Sequence, residues 1–170
     1  MSTPILPAPW MYGRRRLTRV EIAVYAVVVG TLIVIFSSYM LDYMEMAEKT
    51  AMETTVSNVT AALNLNYAAR IMAGERVDAA SWIASDPFRL AKALPAGYAG
   101  DLDGRDKADF GRPAWLYDAE HHQIVYLPRL HSHLQGLESD EIRFGLKRHP
   151  SGFGFMLAPV WPYEWRLNAG

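Results

Sequence analysis

The chain has 170 residues, 51% of them hydrophobic and 21% charged, with 17 Lys and Arg against 18 Asp and Glu for a formal net charge of −1. This length holds one domain of ordinary size with an appendage and excludes two full catalytic domains, and the near-neutral balance removes the usual electrostatic argument for a nucleic-acid binder. There is no cysteine, which excludes disulfide frameworks, zinc ribbons and thiol nucleophiles.

The first predicted element is a membrane helix. Ile22 to Leu41 reads IAVYAVVVGTLIVIFSSYML, without one formal charge. As a helix it spans roughly 30 Å, the thickness of a bilayer's hydrocarbon core. A cleaved secretory signal would have a shorter apolar core and a small-residue cleavage site, and Ser37-Ser38-Tyr39-Met40 is a poor one. Arg14, Arg15, Arg16 and Arg19 precede the run, whereas Asp42, Glu45, Glu48 and Glu53 follow it, offset only by Lys49. Basic flanks stay cytoplasmic, which places the N-terminus inside and residues after about 42 outside, in a bacterium the periplasm. Glu21 borders the apolar run, where a carboxylate is costly and needs a partner. On the residue alone, it lies in the headgroup zone and pairs with Arg19 or another nearby arginine.

The segment LTRVEIAVYAVVVGTLIVIFSSYMLDYMEMAEKTAMETTVSNV resembles the N-terminal helix of type IV pilins and of type II secretion pseudopilins, in particular minor pilin-like members. In that family a short basic leader precedes an apolar helix with a glutamate four residues after the first mature residue. With Leu17 as that first residue, Glu21 takes the glutamate's place, Gly30 the mid-helix glycine, and Asp42-Tyr43 the pair after the apolar run. The resemblance implies that Glu21 sets subunit register by pairing with a neighbour's free amine, that of Leu17. It implies prepilin peptidase, other pilin or pseudopilin subunits and the inner membrane as partners. Two positions depart from the pattern: Arg16 stands where the leader normally ends in glycine, with Gly13 three residues earlier, and Arg19 stands at an apolar position. If the leader stays on, Arg16 or Arg19 of a neighbour takes the amine's part.

Beyond the membrane, Met52, Val56, Val59, Leu63, Tyr67 and Ile71 recur every three or four residues and mark one face of an amphipathic helix, with Gly74 as its stop. The stripe is core packing. The Asn58-Val59-Thr60 sequon is discounted because it lies on a helix. Val77–Ala84 and Pro87–Leu94 read as two short helices, the second capped by Ser85 or Asp86 with Pro87 in its first turn. PAGYAGDLDGRDKADFGRP, 95–113, reads as a Gly- and Asp-rich loop. The period then becomes two: Trp115-Leu116-Tyr117 and Ile124-Val125-Tyr126 form a hairpin across Ala119-Glu120-His121-His122. Glu141–Lys147, Phe153–Ala158 and Tyr163–Leu167 supply the remaining strands. The PAWLYDAEHHQIVYLPR stretch also looks like a Trp-Tyr-Asp, Leu-Val-Tyr hairpin of some minor pilin-like proteins.

The expected fold is α+β: a long N-terminal helix, transmembrane in its first half, packed on a small antiparallel sheet of four to five strands. The expected organisation is a basic leader 1–16, a membrane helix 17–41, its periplasmic continuation 42–74 and a globular domain 75–170.

Sites of chemistry are few. Asp101, Asp103, Asp106 and Asp109 are calcium-ligand material, but an EF-hand spacing needs an acid where Arg112 stands, and Arg105 and Lys107 offset the cluster, so a solvated turn-rich loop is favoured. His131 and His133 on a strand share a face that zinc can use, without an obvious third ligand; ordinary loop histidines are favoured. No nucleophile elbow, phosphate loop or dinucleotide fingerprint occurs. Trp161, Tyr163 and Trp165 alternate as core or interface, core preferred. The expectation is a non-enzymatic pilin-like subunit without a cofactor, the alternative being a membrane-anchored periplasmic binding or sensing protein outside any filament. The few residues after the last strand leave no signalling module there, which weakens a sensor.

Overall fold

The structure is a computed structural model and describes residues 18–137 and 139–166. Arg14, Arg15, Arg16 and Leu17 lie outside the described residues. The chain divides into two compact units at Leu41/Asp42, although one helix, α1 (Arg19–Met72, 54 residues), supplies residues to both.

In the first unit α1 is apolar on every side and all of its side chains are exposed. It is the one helix, among the described residues, long and apolar enough to cross a membrane. Its hydroxyls bond within the helix: Thr31 Oγ1 donates to the Val27 carbonyl at 2.9 Å and Ser38 Oγ to that of Val34 at 3.1 Å. In hydrocarbon every polar group needs such a partner.

In the second unit α1 turns amphipathic. Met52, Val59, Leu63 and Tyr67 are buried and Val56 is half-buried, but Ile71, the last residue of the predicted stripe, is exposed. The helix ends there: Gly74, at φ 79°, and Glu75 donate their N–H groups back to the carbonyls of Ile71 and Arg70, a left-handed stop that glycine enters without steric cost. Two short helices follow. Asp78 caps α2 (Ala79–Ile83) and Asp86 caps α3 (Pro87–Ala91), with Pro87 in the first turn.

Five strands form the main sheet in the order β1 (Tyr98–Asp101), β2 (Ala114–Asp118), β3 (Gln123–Leu127), β5 (Ile142–Arg148), β6 (Phe155–Pro159). The hairpin is the predicted one. Two expectations need correction. The sheet is mixed, because β1 pairs parallel to β2 and comes from the segment read as loop. The last predicted strand is not its fifth member: β7 (Glu164–Trp165) pairs with β4 (Leu134–Gln135) in a separate two-stranded sheet. One face of the main sheet packs Trp115, Ile124, Tyr126, Phe144 and Leu157 against α1, α2 and α3. The other face buries a smaller cluster, Ala114, Leu116, Val125 and Leu127, under Leu102 and Phe110, so two residues of the Asp-rich loop cover it while most of the loop is exposed.

β6 lies at a sheet edge, which native proteins must protect. The bond from His149 N–H to the Gly154 carbonyl and the β5–β6 register turn the backbones of Phe155, Leu157 and Pro159 outward. The Asn64 amide of α1 accepts from Phe155 N–H at 2.8 Å and donates to its carbonyl at 2.9 Å. Thr60 Oγ1 accepts from Leu157 N–H at 3.4 Å. Replacing Asn64 with alanine leaves both half-buried Phe155 groups without this partner and lowers stability by about 1–3 kcal/mol. In amide exchange, Phe155 loses protection in that variant while Met156, whose N–H faces β5, keeps it. Unchanged exchange at Phe155 would show that the clamp carries no load.

Candidate functional site

Three polar constellations stand out. The first opens α1. Thr18 and Glu21 form a reciprocal cap: Thr18 N–H donates to Glu21 Oε2 at 2.7 Å, Thr18 Oγ1 donates to the same oxygen at 3.1 Å, and Glu21 N–H donates to Thr18 Oγ1 at 3.3 Å. This Thr-x-x-Glu capping box satisfies helix-end donors that have no partner in the helix itself. Among the described residues Glu21 bonds to Thr18 and not to Arg19, because the helix geometry brings residue 21 back over residue 18; the other expected partners, Arg14, Arg15 and Arg16, lie outside the described residues. The box is readable as Thr18-Arg19-Val20-Glu21 before an apolar run. Gly30 lies within the apolar part of α1, and a Cβ there would meet nothing among the described residues within 4 Å, so packing among them does not require glycine.

The second constellation lies where α1 meets β4, β7 and the segment 128–133. Glu45, 3% exposed, accepts at Oε1 from His133 N–H (3.0 Å) and from Trp165 Nε1 (2.7 Å), and its Oε2 lies 3.0 Å from His133 Nδ1. One turn on, Glu48 accepts from Arg129 N–H (2.6 Å), Tyr126 Oη (3.1 Å) and Leu130 N–H (3.2 Å). Lys49 Nζ donates to the Trp165 carbonyl at 3.0 Å. Burial alone would push the Glu45 carboxyl up, but the bonds from His133 and Trp165 hold it below the usual carboxylate range. The bond to Glu45 raises the His133 imidazole above its ordinary value. Burial beside Glu48 pushes the Tyr126 hydroxyl up strongly.

The third lies on the covered face of the sheet. Arg143 Nη1 donates to Asp118 Oδ2 (2.8 Å) and Gln123 Oε1 (3.2 Å), and its Nε donates to Glu141 Oε1 (2.7 Å). Lys107 meets Glu141 at 2.5 Å, which ties the covering loop down. Asp118 also accepts from His121 N–H at 3.1 Å. Burial would raise both acids, but their cationic and N–H partners hold them below the carboxylate range.

The weak calcium candidates are not gathered into one place. Asp101 pairs with Arg89 at 3.1 Å, Asp103 takes a turn position at φ 40°, Asp106 caps the 3₁₀ turn Lys107–Asp109, and Asp109 lies within that turn. Among the described residues no three His, Asp or Glu side chains are placed to hold a metal ion. His131 and His133 precede β4 in a turn and not on a strand; His133 is committed to Glu45, and His131 Nε2 lies 3.6 Å from Asp140. Of the alternating aromatics, Trp165 is buried and Tyr163 half-buried, but Trp161 is exposed, because it falls in the bend before β7.

The Asp86 carboxylate joins Tyr98 Oη (2.8 Å) and Arg89 Nε (3.3 Å) beside an open cavity of about 530 Å³ that Asp101, Tyr117 and His122 also line. Burial and this carboxylate push the Tyr98 hydroxyl up to about 12. The acid is already saturated by its own neighbours. Sequence reasoning missed Thr18, Glu45, Glu48 and Arg143 as structural keys; only Thr18 carried a local signal.

No family model, no curated protein and no solved structure matches the chain.

Proposed function

We propose that this chain is a pilin-like structural subunit, a minor component of a type IV pilus or type II secretion pseudopilus. It sits in a bacterial inner membrane with its N-terminus cytoplasmic and its α+β domain periplasmic, and has no enzymatic activity. One observation carries the reading: a single 54-residue helix, capped at its start by the Thr18–Glu21 box, runs through an apolar stretch that nothing among the described residues covers, and ends on a sheet. An uncovered helix of this length needs lipid or other copies around it. In a bundle of such helices an unpaired carboxylate would cost several kcal/mol. Glu21 enters with its charge already bonded to Thr18 and can add a neighbour's amine or guanidinium. Gly30 leaves a place on the helix where another backbone can come close.

The departures at Arg16 and Arg19 favour the second reading, an anchored periplasmic binding or sensing domain that never enters a filament. The two separate on the intact mass of membrane-extracted protein made with and without a prepilin peptidase. The subunit reading expects a peptidase-dependent loss of residues 1–16, with methylation of the new N-terminus at Leu17. A full-length mass in both samples overturns the processed subunit and leaves the anchored domain.

A further inference from the structure

The segment 128–133 crosses α1 without belonging to either sheet. Three of its backbone N–H groups, those of Arg129, Leu130 and His133, are given to side-chain carboxylates. With Tyr126 Oη, Trp165 Nε1 and the His133 ring added, Glu45 and Glu48 use all four of their oxygens against this segment and the strands flanking it. The acceptors sit three residues apart on one helix, so a single turn of α1 holds the segment and the indole of β7 together.

We propose that Glu45 and His133 form a proton-dependent latch that fastens segment 128–133 and the β4–β7 pair to α1, so that this flap opens independently of the five-stranded sheet. The latch has two charged halves. Glu45 is buried and acceptor-only while ionised; protonation turns one of its oxygens into a donor facing other donors. His133 is about a third exposed and can exchange its proton with solvent. As imidazolium it forms an ion-paired bond with Glu45; deprotonation leaves a bond between a neutral imidazole and the carboxylate, without the attraction of the second charge.

The surrounding charges set the direction. On α1, Asp42, Glu48 and Glu53 are negative and Lys49 positive, the last held by the Trp165 carbonyl. From the segment come Arg129 and His131, the latter facing Asp140. Glu164 and Arg166 flank Trp165 and pair with each other at 2.9 Å. The carboxylates near His133 favour its charged form, Asp42 among them. The contribution of His133, raised in the fold, is complete below the ordinary imidazole value of 6.5 and is lost as pH rises through the raised value. That of Glu45, lowered in the fold, is complete above the ordinary value of 4.5 and is lost as pH falls through the lowered value. The latch is therefore tightest in mild acid and slackens in alkali, while the ladder of β2, β3 and β5 is unaffected.

Amide exchange by mass spectrometry on the full chain in detergent micelles tests this, with rates corrected for intrinsic pH dependence. Between pH 5.5 and 9, protection in 129–134 should fall roughly five- to tenfold, the loss of the attraction between the imidazolium and the carboxylate, with β3 and β5 unchanged. His133→Gln should abolish the pH dependence, and Glu45→Gln should lower protection of the segment at every pH. Protection that stays flat in the native chain, that falls equally in His133→Gln, or that falls in parallel across β3 and β5 would each overturn the latch.

Discussion

Arg143→Leu lowers the stability of the α+β domain by about 3–5 kcal/mol, the cost of removing one partner from a buried ionic group. Asp118 and Glu141 are 6% exposed each, and Arg143 is the cation that reaches both. Without it Asp118 keeps only His121, and Glu141 keeps only the Lys107 contact from the covering loop. Urea unfolding of the full chain in micelles reads the loss, with Trp82, Trp115 and Trp165 as buried reporters. The pH dependence distinguishes this cause from lost packing. In the native chain the two lowered carboxyls contribute fully above their ordinary values of 3.8 and 4.5, and that contribution disappears as pH falls through their folded values. In the variant the same protonation relieves an unpaired buried charge. The gap between native and variant therefore narrows below about pH 5. A gap that is constant with pH assigns the loss to the aliphatic part of the side chain instead. Combining Arg143→Leu with Asp118→Asn and Glu141→Gln restores much of the stability, because a network removed whole leaves no orphaned charge.

Phe155→Ala is comparably damaging, at about 3–5 kcal/mol. Phe155 is fully buried, stacked on Trp82 with ring centroids 5.2 Å apart and edge-on to Tyr67 at 5.3 Å. It joins the C-terminal half of α1, α2 and the edge of the sheet at one point, and its backbone is fastened by Asn64. The Asn64 clamp keeps the strand from collapsing inward, so the cavity stays open and the cost lies toward the upper end of the range. Trp82 emission shifts to the red in the folded variant as its stacked face becomes accessible. Phe155→Leu, which keeps most of the volume, should cost about half as much or less; an equal loss in both would mean that the aromatic geometry, and not the volume, holds this corner.

The elements that local physics controls were the ones legible in advance. An unbroken stretch without proline, with apolar residues every three to four positions, is enough to specify α1, and Gly74 marks its end because few other residues adopt a left-handed stop. Alternation around Ala119–His122 is likewise enough for the β2–β3 hairpin. β1 was not legible: Tyr98–Asp101 includes Gly100 at φ 93°, has little strand propensity, and is a strand only because β2 lies beside it. β4 and β7 are two residues each, too short for any period to register. Glu45 shows the same limit at a site. Next to the apolar run it counts as one more charge that orients the helix; it becomes a buried acceptor only because His133 and Trp165 arrive from 88 and 120 residues away. Glu21 is the reverse case, since its partner is three residues off and its motif is short enough to read directly.

The closed margin of β6 limits how copies of this molecule can join. Phe155 offers no free backbone group on that side, Leu157 N–H is taken by Thr60, and Pro159 has no N–H to give. A neighbour laid alongside finds no N–H to accept from along these three residues, which leaves half of a ladder at most. Strand addition at this margin is therefore opposed by two side chains of one helix and a proline, at whatever local concentration the domain is held.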